Sequence, residues 1–82
     1  MTGEGAILEK IKLAQSGDQH AFRQLLECFW NDVYGFMLQR TQNENEAEDL
    51  TIRCFGKAFE KIMTYNEAYG FKTWLTTIAK NL

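Results

Sequence analysis

The sequence predicts an all-α domain, a compact bundle of about four helices, and three observations support this prediction. Apolar residues recur at spacings of three and four along four segments, which is the period of a helix with one buried face. Proline is absent from the 82 residues, so no residue of this type forces a helix to stop early. No segment shows the alternation of apolar and polar residues that is typical of a half-buried strand.

The first predicted helix covers residues 6–16 and ends at Gly17, because glycine tolerates the left-handed conformation common at helix ends. Its apolar side consists of Ile7, Leu8, Ile11 and Ala14. Asp18 caps a second helix over residues 19–41, since its carboxylate can accept from the free amides of the first turn. The core-facing stripe of that helix consists of Phe22, Leu25, Leu26, Phe29, Val33, Phe36 and Met37. Gly35 interrupts the stripe and is interpreted as a point of close packing.

A third helix is predicted over residues 44–63, with Asn43 as its N-cap and Glu46 in the position of a capping box. Its apolar stripe consists of Ala47, Leu50, Cys54, Ala58 and Ile62, widened by Phe55 and Phe59. A helix this apolar is expected at the centre of the bundle, packed on two sides. Its first turn is predicted to carry a cluster of acids that complements the helix dipole, namely Glu44, Glu46, Glu48 and Asp49.

Residues 64–70 are polar, end in glycine and are predicted to form a loop. The fourth helix begins near Phe71, and its apolar stripe consists of Phe71, Trp74, Leu75, Ile78, Ala79 and Leu82. The opposite face of this helix is polar and contains no acid. Its residues are Lys72, Thr73, Thr76, Thr77, Lys80 and Asn81.

Length and composition limit the possible functions. A chain of 82 residues forms one domain, and a formal net charge of −2 means that any nucleic-acid contact must come from a local patch. The apolar runs are too short to span a bilayer, and the N-terminus lacks the pattern of a secretory signal. Cys28 and Cys54 have no metal-binding spacing, which predicts a reduced, cytoplasmic protein with buried thiols.

Candidate catalytic and metal-binding residues are few. His20 is the only histidine, and no nearby residue is spaced to form a nucleophile–base pair with it. The acids Glu46, Glu48 and Asp49 lack the alternate spacing and the central glycine of a calcium loop. We therefore predict no catalytic residue, no metal site and no cofactor, and we do not expect an enzyme.

Two surfaces remain as candidate binding sites. The acids of the third helix are typical either of a solvated helix start or of a protein-docking patch. The loop and the polar face of the fourth helix combine tyrosines, which can stack on unpaired bases, with groups that can contact base edges and phosphates. The alternative is that Tyr65 and Tyr69 only fix the loop and that the polar face is merely solvated.

Three motifs in this order resemble region two of bacterial sigma factors, most closely the extracytoplasmic-function class. They are Gly17-Asp18-x-x-Ala21-Phe22-x-x-Leu25, then Ala47-Glu48-Asp49-Leu50 with Phe55, then Phe71-x-x-Trp74-Leu75-x-x-Ile78-Ala79-x-Asn81. The resemblance covers about residues 10–82. It implies a single region-two domain over residues 1–82, and a separate helix-turn-helix domain to which no part of this sequence corresponds.

The resemblance also implies two partners. The third helix would dock on the clamp helices of the largest subunit of core RNA polymerase, and by position the docking residues are Glu48, Asp49, Ile52 and Arg53. The loop and the fourth helix would recognise the minus-ten promoter element, with a non-template base flipped into a pocket formed by the loop. By position the DNA-binding residues are Tyr65, Asn66, Glu67, Tyr69, Lys72, Thr73, Trp74, Thr77, Lys80 and Asn81. Many members of the class also bind an anti-sigma factor, and no residue of this sequence identifies one.

The predicted function is therefore a transcription initiation factor domain that docks on core RNA polymerase and recognises and melts the minus-ten element. Two alternatives stay open. A helical protein–protein interaction module with no nucleic-acid role would use the same acids on a basic partner. A reader of double-stranded DNA would place the fourth helix in a major groove, although Lys and Arg are scarce there and phosphate contacts supply most of the affinity of such proteins.

Overall fold

The computed structural model describes residues 4–82, which form four helices and one short 3₁₀ turn. The helices are α1 (Glu4–Gln15), α2 (Gln19–Thr41), α3 (Glu44–Lys61) and α4 (Phe71–Lys80). The 3₁₀ turn, Ile62–Thr64, extends α3, so the third helix is shorter by two residues than the sequence predicts. No strand occurs in the described range. The predicted all-α bundle of four helices is confirmed.

Capping residues set the start of α2 and its connection to α1. Gly17 has a φ of +102°, a backbone conformation that residues other than glycine rarely adopt, and it ends α1 as predicted. The carboxylate of Asp18 accepts from the Ala21 amide at 3.1 Å, which confirms the predicted N-cap. The end of α2 has no glycine to mark it: Gln42 takes the left-handed conformation, with a φ of +56°, and its amide donates to the Leu38 carbonyl at 2.8 Å.

The start of α3 is capped by Asn43, whose side-chain oxygen accepts from the Glu46 amide at 2.9 Å. The predicted capping box is only half formed, because the Asn43 amide donates to the hydroxyl of Thr41 at 3.2 Å. The first turn of α3 contains two of the four acids, Glu44 and Glu46. The other two lie one turn further on, so the helix dipole accounts for only half of the acidic cluster.

The centre of the bundle is α2, which packs against each of the other three helices. The prediction placed α3 there, and α3 does pack on two sides, against α2 and α4. The reason lies in length: at 23 residues α2 is the longest element, so it has enough surface along its axis to pack against all three other helices. The core cluster includes Ile11, Leu25, Met37, Cys54 and Leu75.

Four positions predicted to lie in the interior are exposed, and Leu82, at the end of the predicted stripe of α4, is 39% exposed. Gly35 is one of them, and a Cβ added there would meet no atom within 4 Å, so the predicted close packing is wrong. Cys28 is exposed on α2, whereas Cys54 is buried as predicted. Phe59 is 40% exposed, because the apolar arc of α3 is wider than the surface that α2 and α4 cover. One polar residue of α3, Thr51, is fully buried instead, and its hydroxyl donates to the Ala47 carbonyl at 2.6 Å.

Candidate functional site

The outer face of α3 is the set of exposed residues formed by Glu48, Asp49, Ile52, Arg53 and Gly56. It contains all four residues predicted to bind polymerase. Because residues three or four positions apart are neighbours on a helix, these side chains form one continuous patch. The structure thus brings the predicted docking residues together, and their binding role stays a prediction.

An ion pair joins Asp49 to Arg53 on this face, with 3.2 Å between Oδ2 and Nε. The side chains are 62% and 65% exposed, so solvent screens the pair and it contributes about 0.3–0.5 kcal/mol at most. Glu48 forms no ion pair with any residue that the structure describes. The face therefore presents one unpaired acid beside a weakly paired one.

Apolar side chains extend this face toward the end of α3. Ile52 is 56% exposed, and Met63, in the 3₁₀ turn, is 71% exposed. Phe59 lies between them and packs edge-on against Phe22 of α2, with ring centroids 5.0 Å apart. Exposed apolar groups next to charged ones are typical of protein–protein interfaces. Phe59 and Met63 were not predicted as binding candidates, although both follow Ile52 at helical spacings of seven and eleven.

The 65–70 loop connects the 3₁₀ turn to α4 and closes on itself through three hydrogen bonds. The Tyr65 hydroxyl donates to the Tyr69 carbonyl. The side-chain oxygen of Asn66 accepts from the Ala68 amide at 2.9 Å, and its carbonyl accepts from the Tyr69 amide at 3.1 Å. These bonds hold the tip of the loop, residues 66–69, in an exposed turn.

Tyr65 and Tyr69 have opposite environments. Tyr65 is buried, with its ring 5.3 Å from that of Phe71 and 5.2 Å from that of Trp74, centroid to centroid. Burial, and secondarily the negative charge of Glu67, raise the pKa of the Tyr65 phenol and keep it protonated as a donor. Tyr69 is 65% exposed. Of the two tyrosines predicted to bind DNA, Tyr69 presents an exposed ring to a ligand, whereas Tyr65 mainly holds the loop against α4.

The predicted DNA-binding residues on the polar face of α4 are all exposed, whereas Trp74, on its apolar stripe, is half-buried. Several of their donors are already used within the helix. The hydroxyl of Thr77 donates to the Thr73 carbonyl at 3.0 Å, and the amide of Asn81 donates to the Thr77 carbonyl at 3.0 Å. Lys72 lies 3.5 Å from a carboxylate oxygen of Asp32 on α2, in an exposed ion pair. The face therefore offers mainly lone pairs and ammonium groups to a ligand.

Two lysines of α3 join this face, although neither was predicted from the sequence to bind DNA. Lys57 and Lys61 line a groove of about 340 Å³ together with Trp74, Thr77 and Asn81 of α4. Their spacing of four residues puts them on one side of α3, away from the acids at its other end. That spacing of two lysines on one side of the helix was visible in the sequence and could have identified them.

A larger open groove, of about 800 Å³, lies beside the 65–70 loop. Its apolar wall comes from Ile7, Leu8 and Ile11 of α1 and from Phe29 of α2. Its rim comes from the loop and the start of α4, including Glu67, Tyr69 and Lys72. An apolar wall with a few polar groups at the rim is typical of binding sites for small ligand groups.

Metal-binding clusters are absent from the described range, since no group of three or more His, Cys, Asp or Glu residues there could hold a metal ion. His20 is exposed in the first turn of α2. None of the described helices combines the length and apolar character that crossing a membrane requires.

Comparison with known proteins shows that one family model covers the part of the chain that carries both surfaces. The family model of sigma-70 region 2 matches residues 25–82, a range that contains most of α2 and all of α3, the loop and α4. The chain belongs to the sigma-70 region 2 family. This confirms the resemblance on which the docking and DNA-binding residues were assigned.

Two curated relatives extend the match to nearly the whole chain. The ECF RNA polymerase sigma factor BldN of Streptomyces coelicolor is 35% identical over 77 residues, which make up 93% of this chain and 29% of the relative. The ECF RNA polymerase sigma factor SigW of Bacillus subtilis is 33% identical over 79 residues, 96% of this chain and 42% of the relative. The chain thus spans less than half the length of either relative.

Proposed function

We propose that this region 2 domain acts in transcription initiation, docking on core RNA polymerase and recognising and melting the minus-ten promoter element. The observation that carries the proposal is the presence of two exposed surfaces of unlike chemistry on one small bundle of this family. The outer face of α3 is acidic and apolar. The surface formed by the 65–70 loop and α4 is aromatic, polar and cationic.

The outer face of α3 is proposed to bind the clamp helices of the largest polymerase subunit. Its acids would meet basic groups, and Ile52 and Phe59 would supply apolar area to be buried. Burial of the interface would strengthen the charge contacts, since screening by water falls as solvent is excluded. The Asp49–Arg53 pair is weak enough in solvent that Asp49 can exchange its partner for a polymerase cation.

The loop and α4 are proposed to hold the non-template strand of the minus-ten element. Flipping a base out of the duplex costs a few kcal/mol, which capture of that base in the loop groove would offset in part. Tyr69 supplies the exposed ring for stacking, and Asn66 and Glu67 supply polar groups at the tip. Thr73, Thr77 and Asn81 would contact bases or sugars, with Tyr65 and Trp74 supporting them from below.

Phosphate contacts would come from four lysines on two helices, Lys57, Lys61, Lys72 and Lys80. Four cations on a chain with a net charge of −2 give weak affinity for DNA alone. The polymerase would therefore supply much of the electrostatic attraction. In this proposal the chain is one region-two domain over residues 1–82 of a cytoplasmic sigma factor, with the minus-thirty-five element read by a separate helix-turn-helix domain.

The proposal is tested by measuring the affinity of the 82-residue chain for core RNA polymerase, for wild type and for Asp49→Arg. The change places a cation in the proposed docking patch, and we expect affinity to fall by roughly tenfold or more. Circular dichroism should show an intact fold, because Asp49 is exposed and makes only the pair with Arg53.

A matched control is Glu9→Arg, which changes the net charge equally on α1, a helix that does not pack on α3. This variant should bind core with wild-type affinity. Wild-type affinity of Asp49→Arg would contradict the docking face. Binding to core with no uptake of single-stranded DNA by the complex would instead favour the interaction module without a nucleic-acid role.

A further inference from the structure

The last residue of α1 reaches across the bundle to the base of the 65–70 loop. The side-chain amide of Gln15 donates to the Ile62 carbonyl at 3.0 Å and to the Tyr65 carbonyl at 3.2 Å. Among residues 4–82 only three side-chain hydrogen bonds join positions more than four apart, and Gln15 makes two of them. The third joins Cys54 to the Leu75 carbonyl.

The two carbonyls that Gln15 binds belong to the first residue of the 3₁₀ turn, Ile62, and to the residue that follows the turn, Tyr65, where the chain leaves α3 and enters the loop. The Ile62 carbonyl also accepts from the Tyr65 amide at 3.2 Å, so both partners of Gln15 belong to the same tight turn. The ring of Tyr65 then packs on α4, and its hydroxyl donates to the Tyr69 carbonyl. A continuous path of hydrogen bonds thus runs from Gln15 to the exposed tip of the loop.

Gln15 is suited to this position because both partners are acceptors. A primary amide has two N–H groups, and each meets one carbonyl, so the side chain uses its full donor capacity. The surrounding surface, a small groove that also includes Ile11 and Asn66, leaves Gln15 half-buried. Replacing the donor would leave two carbonyls at the turn without this partner.

We propose that Gln15 is a positioning residue for base selection by the 65–70 loop. It fixes the turn at the base of the loop by donating to two carbonyls, and it makes no contact with DNA itself. Gln15 lies outside the stretch matched by the family model, residues 25–82, and none of the residues assigned from the sequence lies on α1. The inference rests on the proposed function, since it names a determinant of the specificity of that same loop.

The test uses the complex of core RNA polymerase with the 82-residue chain, which selects bound sequences from a randomised single-stranded DNA library. Gln15→Met keeps the length of the side chain and removes both donors, and Gln15→Lys restores a donor. We expect Gln15→Met to reduce base preference about tenfold, and Gln15→Lys to recover most of it, while affinity for core stays within about twofold of wild type. Gln39→Met, at an exposed position of α2, is the matched control and should select as wild type.

Amide hydrogen exchange of the free chain separates positioning from general stability. In Gln15→Met the Tyr69 amide, which donates to the Asn66 carbonyl, should exchange about tenfold faster, whereas core amides of α2 should not change. Equal acceleration of all amides would overturn the proposal, because Gln15 would then stabilise the whole fold. Unchanged base preference in Gln15→Met, or a loss that Gln15→Lys does not repair, would also overturn it. If the complex with the wild-type chain shows no base preference, the result would instead contradict the proposed function in promoter recognition.

Discussion

The outer face of α3 lies on a single helix, whereas the surface of the 65–70 loop and α4 is assembled from all four helices. The first needs only the helical period to bring Glu48, Asp49 and Ile52 together. The second combines a wall from α1 and α2, two lysines from α3 and the loop itself. A single-helix face can be altered without disturbing its surroundings, whereas the composite surface shares its residues with the core.

The sharing is clearest in the aromatic cluster beneath the loop. Rings of Phe29, Tyr65, Phe71 and Trp74 pack with centroids 5.2 to 5.5 Å apart. Such pairs each add about 0.5–1.5 kcal/mol beyond the area they bury. Each of these rings also lines one of the two grooves beside the loop and α4, so binding and folding depend on the same side chains here.

The largest expected effect comes from replacing the two loop tyrosines. Tyr65→Ala removes a buried ring and should lower the free energy of unfolding by about 3–5 kcal/mol, a large part of the stability of a domain this size. Tyr69→Ala removes an exposed ring and should change it by no more than about 0.5 kcal/mol. Urea unfolding followed by circular dichroism measures both.

The two tyrosine variants should also separate in binding. Tyr69→Ala is expected to bind core RNA polymerase normally and to weaken uptake of single-stranded DNA by the complex, since it removes a stacking surface. Equal losses of stability in both variants would show that Tyr65 and Tyr69 do not have separate roles, one in supporting the loop and the other in binding DNA.

The second effect concerns Cys54, which lies where the helices of the two surfaces meet. It is buried on α3, and its thiol donates to the Leu75 carbonyl of α4 at 3.5 Å. Burial raises the pKa of this thiol from 9.0 to about 11. The neutral thiol therefore contributes its full stability below pH 9, where the unfolded chain is also protonated. That contribution is lost as pH rises toward about 11, by about 2–3 kcal/mol in total.

Unfolding measured from about pH 8 to about pH 10.5 should show this decline in wild type and a smaller one in Cys54→Ala. Ionisation of Tyr65, whose pKa is also raised, adds to the decline in both proteins and therefore cancels in the comparison. Cys28→Ala removes the exposed thiol and is the matched control. An identical pH dependence in Cys54→Ala would mean that another group controls alkaline unfolding.

The features of the fold and of the site that depend on one helix could be predicted from the sequence, whereas those that depend on contacts between helices could not. Periodicity and the caps Asp18 and Asn43 placed every helix to within about two residues, because those signals are local in the chain. The docking residues could be placed on one face for the same reason. The burial of Tyr65 could not be predicted, since it depends on how the rings of Phe71 and Trp74 in α4 pack against the loop. Gln15 could not be found either, because its partners lie 47 and 50 residues away.

The third effect tests whether α3 belongs to both surfaces. In Lys57→Glu/Lys61→Glu we expect the complex with core polymerase to bind mixed-sequence single-stranded DNA roughly tenfold more weakly. The slope of log affinity against log salt should become shallower by roughly 0.7 for each phosphate that the variant no longer neutralises. Lys10→Glu/Lys12→Glu makes the same change in charge on α1 and should leave both quantities near wild type. An equal loss of DNA affinity in that control would show that the effect comes from net charge alone.

The smallest effect, and the sharpest test of where the docking face ends, comes from two exposed glycines inside helices. A Cβ added to Gly35 or Gly56 would meet no atom within 4 Å, so alanine at either position should raise the free energy of unfolding by about 0.5–1 kcal/mol. Only Gly56 lies on the outer face of α3, one turn beyond Ile52. If polymerase packs closely there, Gly56→Ala should weaken core binding while Gly35→Ala leaves it unchanged, although both proteins are more stable. If both variants bind core as wild type does, the docking face ends at Arg53. If either variant is less stable than wild type, its helix requires glycine for a reason other than the space available to a Cβ.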